Sequence, residues 1–209
     1  GRREGGMMDE QRRGRLLQAM LLELAGNGYG EASVERAQAE AGVSAAEFSA
    51  EFKDKDECLF AAYDWLTDEV VARTSAGCEG SEPWPDRVRA GLATLLRELA
   101  EHPQIAVAMT RSFPAIRPSA YQRYVALLSR FVAFMHEGRG YSEVDEELPG
   151  EVELLAVGAA EAIIFGEVDA GRAERLPQML PEILFSVLVP FMGPDRAADE
   201  MRSAALSSG

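Results

Sequence analysis

From residue 28 the chain reads Gly28-Tyr29-Gly30-Glu31-Ala32-Ser33-Val34, then Ala41-Gly42-Val43-Ser44, then Phe48 and Phe52-Lys53-Asp54-Lys55. Two short segments flank a tight turn at Gly42, where the backbone must bend and a side chain would clash. Ser33 can cap the first segment, which runs to about Glu40. Ser44 and Glu47 make a capping box for the second: the serine oxygen takes an orphan amide and the glutamate reaches back. A longer helix stands on each side. Upstream, Leu16, Leu17, Met20, Leu21 and Leu24 recur at helical spacing, and the pattern stops at Gly26-Asn27-Gly28. Downstream, Asp54 and Glu57 repeat the capping device before a long helix through Tyr63, Leu66 and Val70. This is the plan of a helix-turn-helix, with Val43, Phe48 and Phe52 closing a three-helix core.

The helical period continues to the end of the chain. Pro85 opens a helix through Leu92, Leu95 and Leu99 to His102-Pro103, and a shorter helix covers Ile105 to Arg111. An aromatic-rich helix spans Ser119 to Glu137, and an acidic loop, Gly138 to Gly150, follows it. Pro149 is placed to open a helix to about Val168, and Pro177 to open the last major helix, through Phe191. A polar helix from Asp195 closes the chain. No strand pattern, phosphate-loop glycine pattern or internal repeat is present. The expected architecture is all-α and homodimeric. It has a disordered tail or appended remnant at 1–9, an N-terminal three-helix helix-turn-helix domain at 10–53, and a C-terminal helical bundle domain at 54–209 for ligand sensing and dimerisation.

Composition narrows the function classes. Of 209 residues 47% are apolar, enough for a packed core. The most apolar run, Ile183 to Met192, is too short for a membrane span and contains Pro190, so no membrane partner is expected. Arg2 and Arg3 have no apolar segment behind them, which argues against a signal peptide and for the cytoplasm. A net charge of −14 excludes a general nucleic-acid-coating protein but not a local DNA-reading face. Cys58 and Cys78 have no metal-type spacing and read as inert thiols. His102 and His136 lie near helix ends without a zinc or Glu-x-x-His pattern, and Asp145-Glu146-Glu147 reads as a solvated charge run. No metal, cofactor or catalytic residue is expected, and the chain is not read as an enzyme.

The glycine-aromatic turn, the Ser33-Val34 lead-in, the Ala41-Gly42-Val43-Ser44 turn and the Phe52-Lys53-Asp54-Lys55 exit together resemble the TetR family of transcriptional regulators. The resemblance is close from about Leu16 to Tyr63. It implies a dimer held by the last two long helices, recognition helices in successive major grooves of a double-stranded operator, and release of DNA when a small molecule binds the C-terminal domain. It also implies that Lys53 and Lys55 contact phosphate, fixing register without reading sequence. Ser44, Ala45, Glu47 and Ser49 then belong to the recognition helix and Ser33 to the start of the preceding one, while Arg12, Arg13 and Arg15, just before or within the first helix, lie in reach of the DNA backbone or minor groove.

The match has departures. Ala45, Ala46 and Glu47 stand where the family places a basic or small polar residue, then Gly or Ala, then Ser or Thr. Ser49 and Glu51 replace a tyrosine and a His or Tyr, and Ala37-Gln38 replace Ile-Ala. Glu47 is explained by the capping box and can also accept from cytosine N4; Glu51 has no such explanation. Two carboxylates on a helix that approaches phosphates predict weak or very salt-sensitive binding, or a changed role. The alternative function is therefore a diverged ligand-binding or protein-interaction module of the same fold.

For the pocket, Tyr121, Tyr124, Leu128, Phe131, Phe134 and Met135 share the aromatic helix, while Trp65, Met109, Phe113, Ile163 and Phe165 come from its neighbours. Each alone reads as ordinary core. Together they predict an apolar pocket between helices for a small apolar or aromatic effector, with Arg111, Gln122, Arg123 or His136 able to supply polarity. For the dimer, Leu155, Ala159, Ala162 and Gly166 on one helix and Ile183, Leu184, Val187 and Leu188 on another predict a four-helix interface. The function expected is that of a ligand-controlled DNA-binding regulator, a repressor.

Overall fold

The computed structural model describes residues 8–142 and 148–207. Most of the expected N-terminal tail and the whole Asp145-Glu146-Glu147 run lie outside the described residues. Among the described residues the chain forms helices and no strand: α1 (Glu10–Glu31), α2 (Val34–Ala41), α3 (Ala45–Glu51), α4 (Lys55–Cys78), α5 (Trp84–Glu101), α6 (Pro103–Val107), α7 (Pro118–Met135), α8 (Val152–Asp169) and α9 (Leu180–Ser207).

The first four helices start on side-chain caps. Asp9 Oδ1 accepts from Arg12 N at 2.8 Å, and Ser33 Oγ accepts from Arg36 N at 3.2 Å. The Ser44 box closes in both directions, Oγ accepting from Glu47 N at 3.2 Å and Glu47 Oε2 from Ser44 N at 2.8 Å. At α4 the device is only half formed. Asp54 Oδ1 accepts from Glu57 N at 2.9 Å, but Glu57 reaches past the cap and accepts from Lys53 N at 2.7 Å. Gly42 closes α2 in the left-handed region (φ 66°), which a Cβ disfavours.

Several boundaries differ from expectation. Helix α1 runs through Gly26 and Asn27 and breaks at Gly28 (φ 75°), with one further turn to Glu31. After α6 the backbone makes a π-helical turn, Ala108–Ser112. Helix α8 begins at Val152 rather than at Pro149. Pro177 lies inside a 3₁₀ turn, Ala173–Met179, so α9 starts three residues later. The last major helix and the closing polar helix are one element, kinked at Gly193.

A continuous hydrophobic core joins both ends of the chain. Leu16, Leu17, Met20, Leu21 and Leu24 of α1 are fully buried, as are Cys58, Leu59 and Tyr63 of α4. Tyr63 stacks on Phe113 with ring centroids 3.9 Å apart and planes 8° from parallel, and Phe60 meets the edge of the same ring at 5.1 Å. Residues 173–206 are long and apolar enough to cross a membrane, a stretch longer than Ile183–Met192 alone. Its apolar face is spent on the core, for Ile183, Leu184 and Leu188 are fully buried and Val187 nearly so.

Candidate functional site

Two places can carry function: the exposed face of α3 and a cavity in the C-terminal bundle. At the cap and along α3, Ser44, Ala45, Ala46, Ser49 and Ala50 are exposed, while Phe48 is buried, its ring centroid 5.5 Å from that of Phe52. Glu47 and Glu51 lie one turn apart and both reach α1. Glu47 Oε1 accepts from Arg12 Nη1 at 2.6 Å, and Arg12 Nη2 also donates to the Gly42 carbonyl. Arg13 Nε donates to Glu51, and its guanidinium lies 5.9 Å from the Phe52 ring. The Arg12 pair, with the two Ser44 donors, holds the Glu47 carboxyl at about 2, well below its ordinary 4.5.

These contacts revise the charge picture drawn from the sequence. Neither carboxylate stands unpaired, and the outer face of α3 is small and uncharged. Arg36 is bound to Glu23 at 2.6 Å. Lys55 Nζ donates to the carbonyls of Tyr29 (2.7 Å) and Ala32 (3.3 Å) and lies 4.5 Å from the centre of the Tyr29 ring. Lys55 thus ties α4 to the Gly28 turn, where its expected partner was phosphate. Arg15 and Lys53 are exposed. Ser33 serves as the cap of α2, and its hydroxyl also donates to Glu35 at 2.9 Å.

The cavity, about 450 Å³, lies between α4, α5, α7, α8 and the π-helical turn, with Val187 of α9 on its floor. It falls in the size range of small-molecule sites. Met109, Tyr124, Leu128, Phe131, Phe134 and Met135, all expected at a pocket, line it together. The other pocket candidates lie elsewhere. Phe113 is fully buried under Tyr63, Tyr121 is 56% exposed, Phe165 is 37% exposed on α8, and Trp65 and Ile163 are half-buried away from the cavity wall. Arg111 and Arg123 are engaged outside it, with Asp169 and Asp64, and His136 is exposed beside Glu153.

The sequence reading passed over the α5 wall, Trp84, Arg87, Leu92, Leu95 and Leu99, because a leucine-rich stripe looks the same whether it meets side chains or a void. Trp84 is buried under Gly138, where a Cβ would come within 2.5 Å of the indole, and its Nε1 has no hydrogen-bond partner among the described residues. Polar groups are few. Thr110 Oγ1 is satisfied by the Ala106 carbonyl at 2.8 Å, and Tyr124 Oη donates to Glu161 Oε1 at 2.5 Å. Burial first, then the Glu161 carboxylate, pushes the Tyr124 phenol far above its ordinary value, so it stays a donor. Cys58 is inert, its thiol pushed up to about 12 by burial.

At the expected dimer surface the two helices behave differently. Leu155, Ala159, Ala162 and Gly166 form a stripe along α8 in which Leu155 is 63% exposed, Ala162 and Gly166 are exposed and Ala159 is half-buried. Ile183, Leu184, Val187 and Leu188 on α9 are buried within their own chain, Val187 against the cavity, which corrects their placement at a subunit contact. Their apolar neighbours Phe185 and Val189 are half-buried instead.

A capped tri-helical head with a left-handed glycine turn, joined by one long helix to a hollow all-helical bundle, is a specific arrangement, and it recurs in solved structures. This chain has the fold of TetR-type regulators. The fatty acid degradation regulator FadR from Bacillus halodurans superposes with a TM-score of 0.71 at 15% identity, over 83% of this chain and 96% of that one. A TetR-like transcriptional regulator from Rhodococcus sp. RHA1 gives 0.67 at 18%, over 88% and 99%. FadR from Bacillus subtilis, in complex with stearoyl-CoA, gives 0.64 at 17%, over 86% and 97%. No protein-family model matches the sequence, and no curated protein matches it either.

Proposed function

We propose that this chain is a DNA-binding transcriptional repressor of the TetR type, a binding protein rather than an enzyme, whose DNA affinity is set by a small apolar or aromatic molecule in the α5–α7–α8 cavity. The observation that carries the reading is that one helix serves both ends. Helix α4 leaves the recognition unit at Lys55 and ends at the cavity, where Thr74 and Cys78 line the wall. Along its length it is clasped to α7, the aromatic wall, by Arg117–Asp56 (2.8 Å), Arg123–Asp64 and Arg130–Asp68 (2.7 Å). A ligand that shifts α7 therefore shifts α4 and with it α3. FadR from Bacillus subtilis, bound to stearoyl-CoA, is a regulator of the same fold that holds an apolar chain.

The dimer in this reading uses the exposed α8 stripe, Leu155, Ala159, Ala162 and Gly166 with Phe165, against Phe185 and Val189 of α9. Small residues allow close helix approach, and Leu155 and Phe165 give the stripe its apolar area. Base reading falls to Ser44, Ala45 and Ser49. A hydroxyl can meet several base edges and an alanine methyl can meet the thymine methyl. Phosphate contact falls to Lys53 and Arg15.

A second reading is favoured by the internal pairing of Arg12, Arg13, Arg36 and Lys55, which removes most of the cationic groups a phosphate backbone would need. In that reading the chain is a ligand-binding or protein-interaction module that kept the fold. Unbiased selection of bound DNA by the purified chain at low salt decides between them. Enrichment of a palindromic sequence is the expected result; no enrichment at the lowest salt would leave the module.

A further inference from the structure

We infer that the cavity takes a hydrophobic cation, an alkyl or aromatic body bearing a protonated amine, and that Glu161 receives the ammonium group. This rests on reading the cavity as a ligand site and names the chemistry it selects. The charged residues on its wall are Arg87, Glu137 and Glu161. Arg87 is held by Glu82 on one side and Glu137 on the other, so its charge is already matched. Glu161 is different. Among the described residues no Arg, Lys or His pairs with it; its one partner is the neutral Tyr124 hydroxyl, at 2.5 Å on Oε1. That bond fixes the carboxylate against the α7 wall and leaves Oε2 to accept from something else.

The surroundings suit a cation. Tyr124, Phe131 and Phe134 stand on the same helix wall, and aromatic faces attract a desolvated ammonium group. The rest of the lining is apolar, so a hydrocarbon body is sheltered from water. An anionic head is disfavoured on the same grounds. A carboxylate or phosphate placed here would meet Glu161 with no free cation among the described wall residues to balance it, and could reach Arg87 only by displacing two carboxylates. The charge of the wall therefore selects against the acyl-CoA type of ligand carried by the Bacillus subtilis structure.

A matched series tests this in the full chain: decylammonium, decanol and decanoate, titrated calorimetrically at neutral pH, with stearoyl-CoA beside them. The ammonium is expected to bind about tenfold tighter than the alcohol, the scale of a buried cation–π and ion-pair contact, and decanoate weaker than both. Glu161→Gln should bring the ammonium down to the level of the alcohol while leaving the alcohol unchanged. Tyr124→Phe, which keeps the carboxylate, should retain the preference. Tighter binding of decanoate or stearoyl-CoA, or an ammonium affinity indifferent to Glu161→Gln, would overturn the inference. Equal binding of ammonium and alcohol would overturn it too but keep the cavity as a ligand site. No binding by any of the four would remove both.

Discussion

The two ends of the molecule treat charge in opposite ways. In the recognition unit each acid on α3 meets an arginine on α1, and the outward surface is left to alanine and serine. In the bundle the reverse holds: three Asp–Arg clasps lie outside, between α4 and the start and outer face of α7, while a carboxylate with no cationic partner among the described residues faces a cavity. The lesson is that charge counted along a sequence says little about the field a surface presents. Glu47 and Glu51 look like repulsion aimed at DNA, yet in the fold they act as braces between two helices. In the proposed DNA-binding role, what they withhold is the charge of Arg12 and Arg13; they do not add an acidic face.

The contrast can be broken most severely in the bundle. Leu188, fully buried beside Leu184, is expected to cost about 2–5 kcal/mol on replacement by Ala, the range for a leucine removed from a closed core. Leu155→Glu, on the exposed α8 stripe, should leave denaturant stability almost unchanged while converting dimer to monomer in sedimentation. If Leu188→Ala is harmless to stability and dissociates the dimer, the Leu184–Leu188 face of α9, and not the α8 stripe, carries the contact.

A smaller effect sharpens the picture of the recognition unit. Glu51→Gln frees the Arg13 guanidinium for phosphate, so affinity for a selected operator should rise several-fold across all sequences, with a salt dependence steeper by about one unit of slope. Unchanged affinity and slope would mean that Arg13 lies outside the DNA interface. Lys55→Ala, by contrast, should act by loosening the Tyr29 turn and so lower stability as well as affinity. A pure loss of affinity would return Lys55 to the phosphate role.

The smallest effect is in acid. Glu47 is held at about 2 in the folded chain against an ordinary 4.5, so its stabilisation is complete above pH 4.5 and is lost as the pH falls towards 2. Glu153, nearly buried in the bundle, is held at about 2 by Arg139 at 2.6 Å and loses its contribution over the same window. Denaturation of the wild type and of Glu47→Gln should differ at pH 6 and converge by pH 2. A difference that persists at pH 2 would show that the cap geometry, rather than the ion pair, is what Glu47 supplies.

What the sequence determined by itself is what local chemistry controls. Ser33, Ser44 and Asp54 could be assigned as caps because a cap is a contact between residues three apart, and Gly42 as a turn because a left-handed backbone needs no distant partner. Apolar period was enough to place the helices and the helix-turn-helix. The tertiary structure alone decided which side each helix turns inward. Helix α9 is apolar around most of its circumference, so periodicity could not tell the core-facing Leu184 and Leu188 from the outward Phe185 and Val189. The same limit hid the α5 wall and the fate of Glu47 and Glu51. A leucine facing a void and a leucine facing a leucine have the same neighbours in sequence, and an acid finds its arginine 35 residues away only when two helices pack.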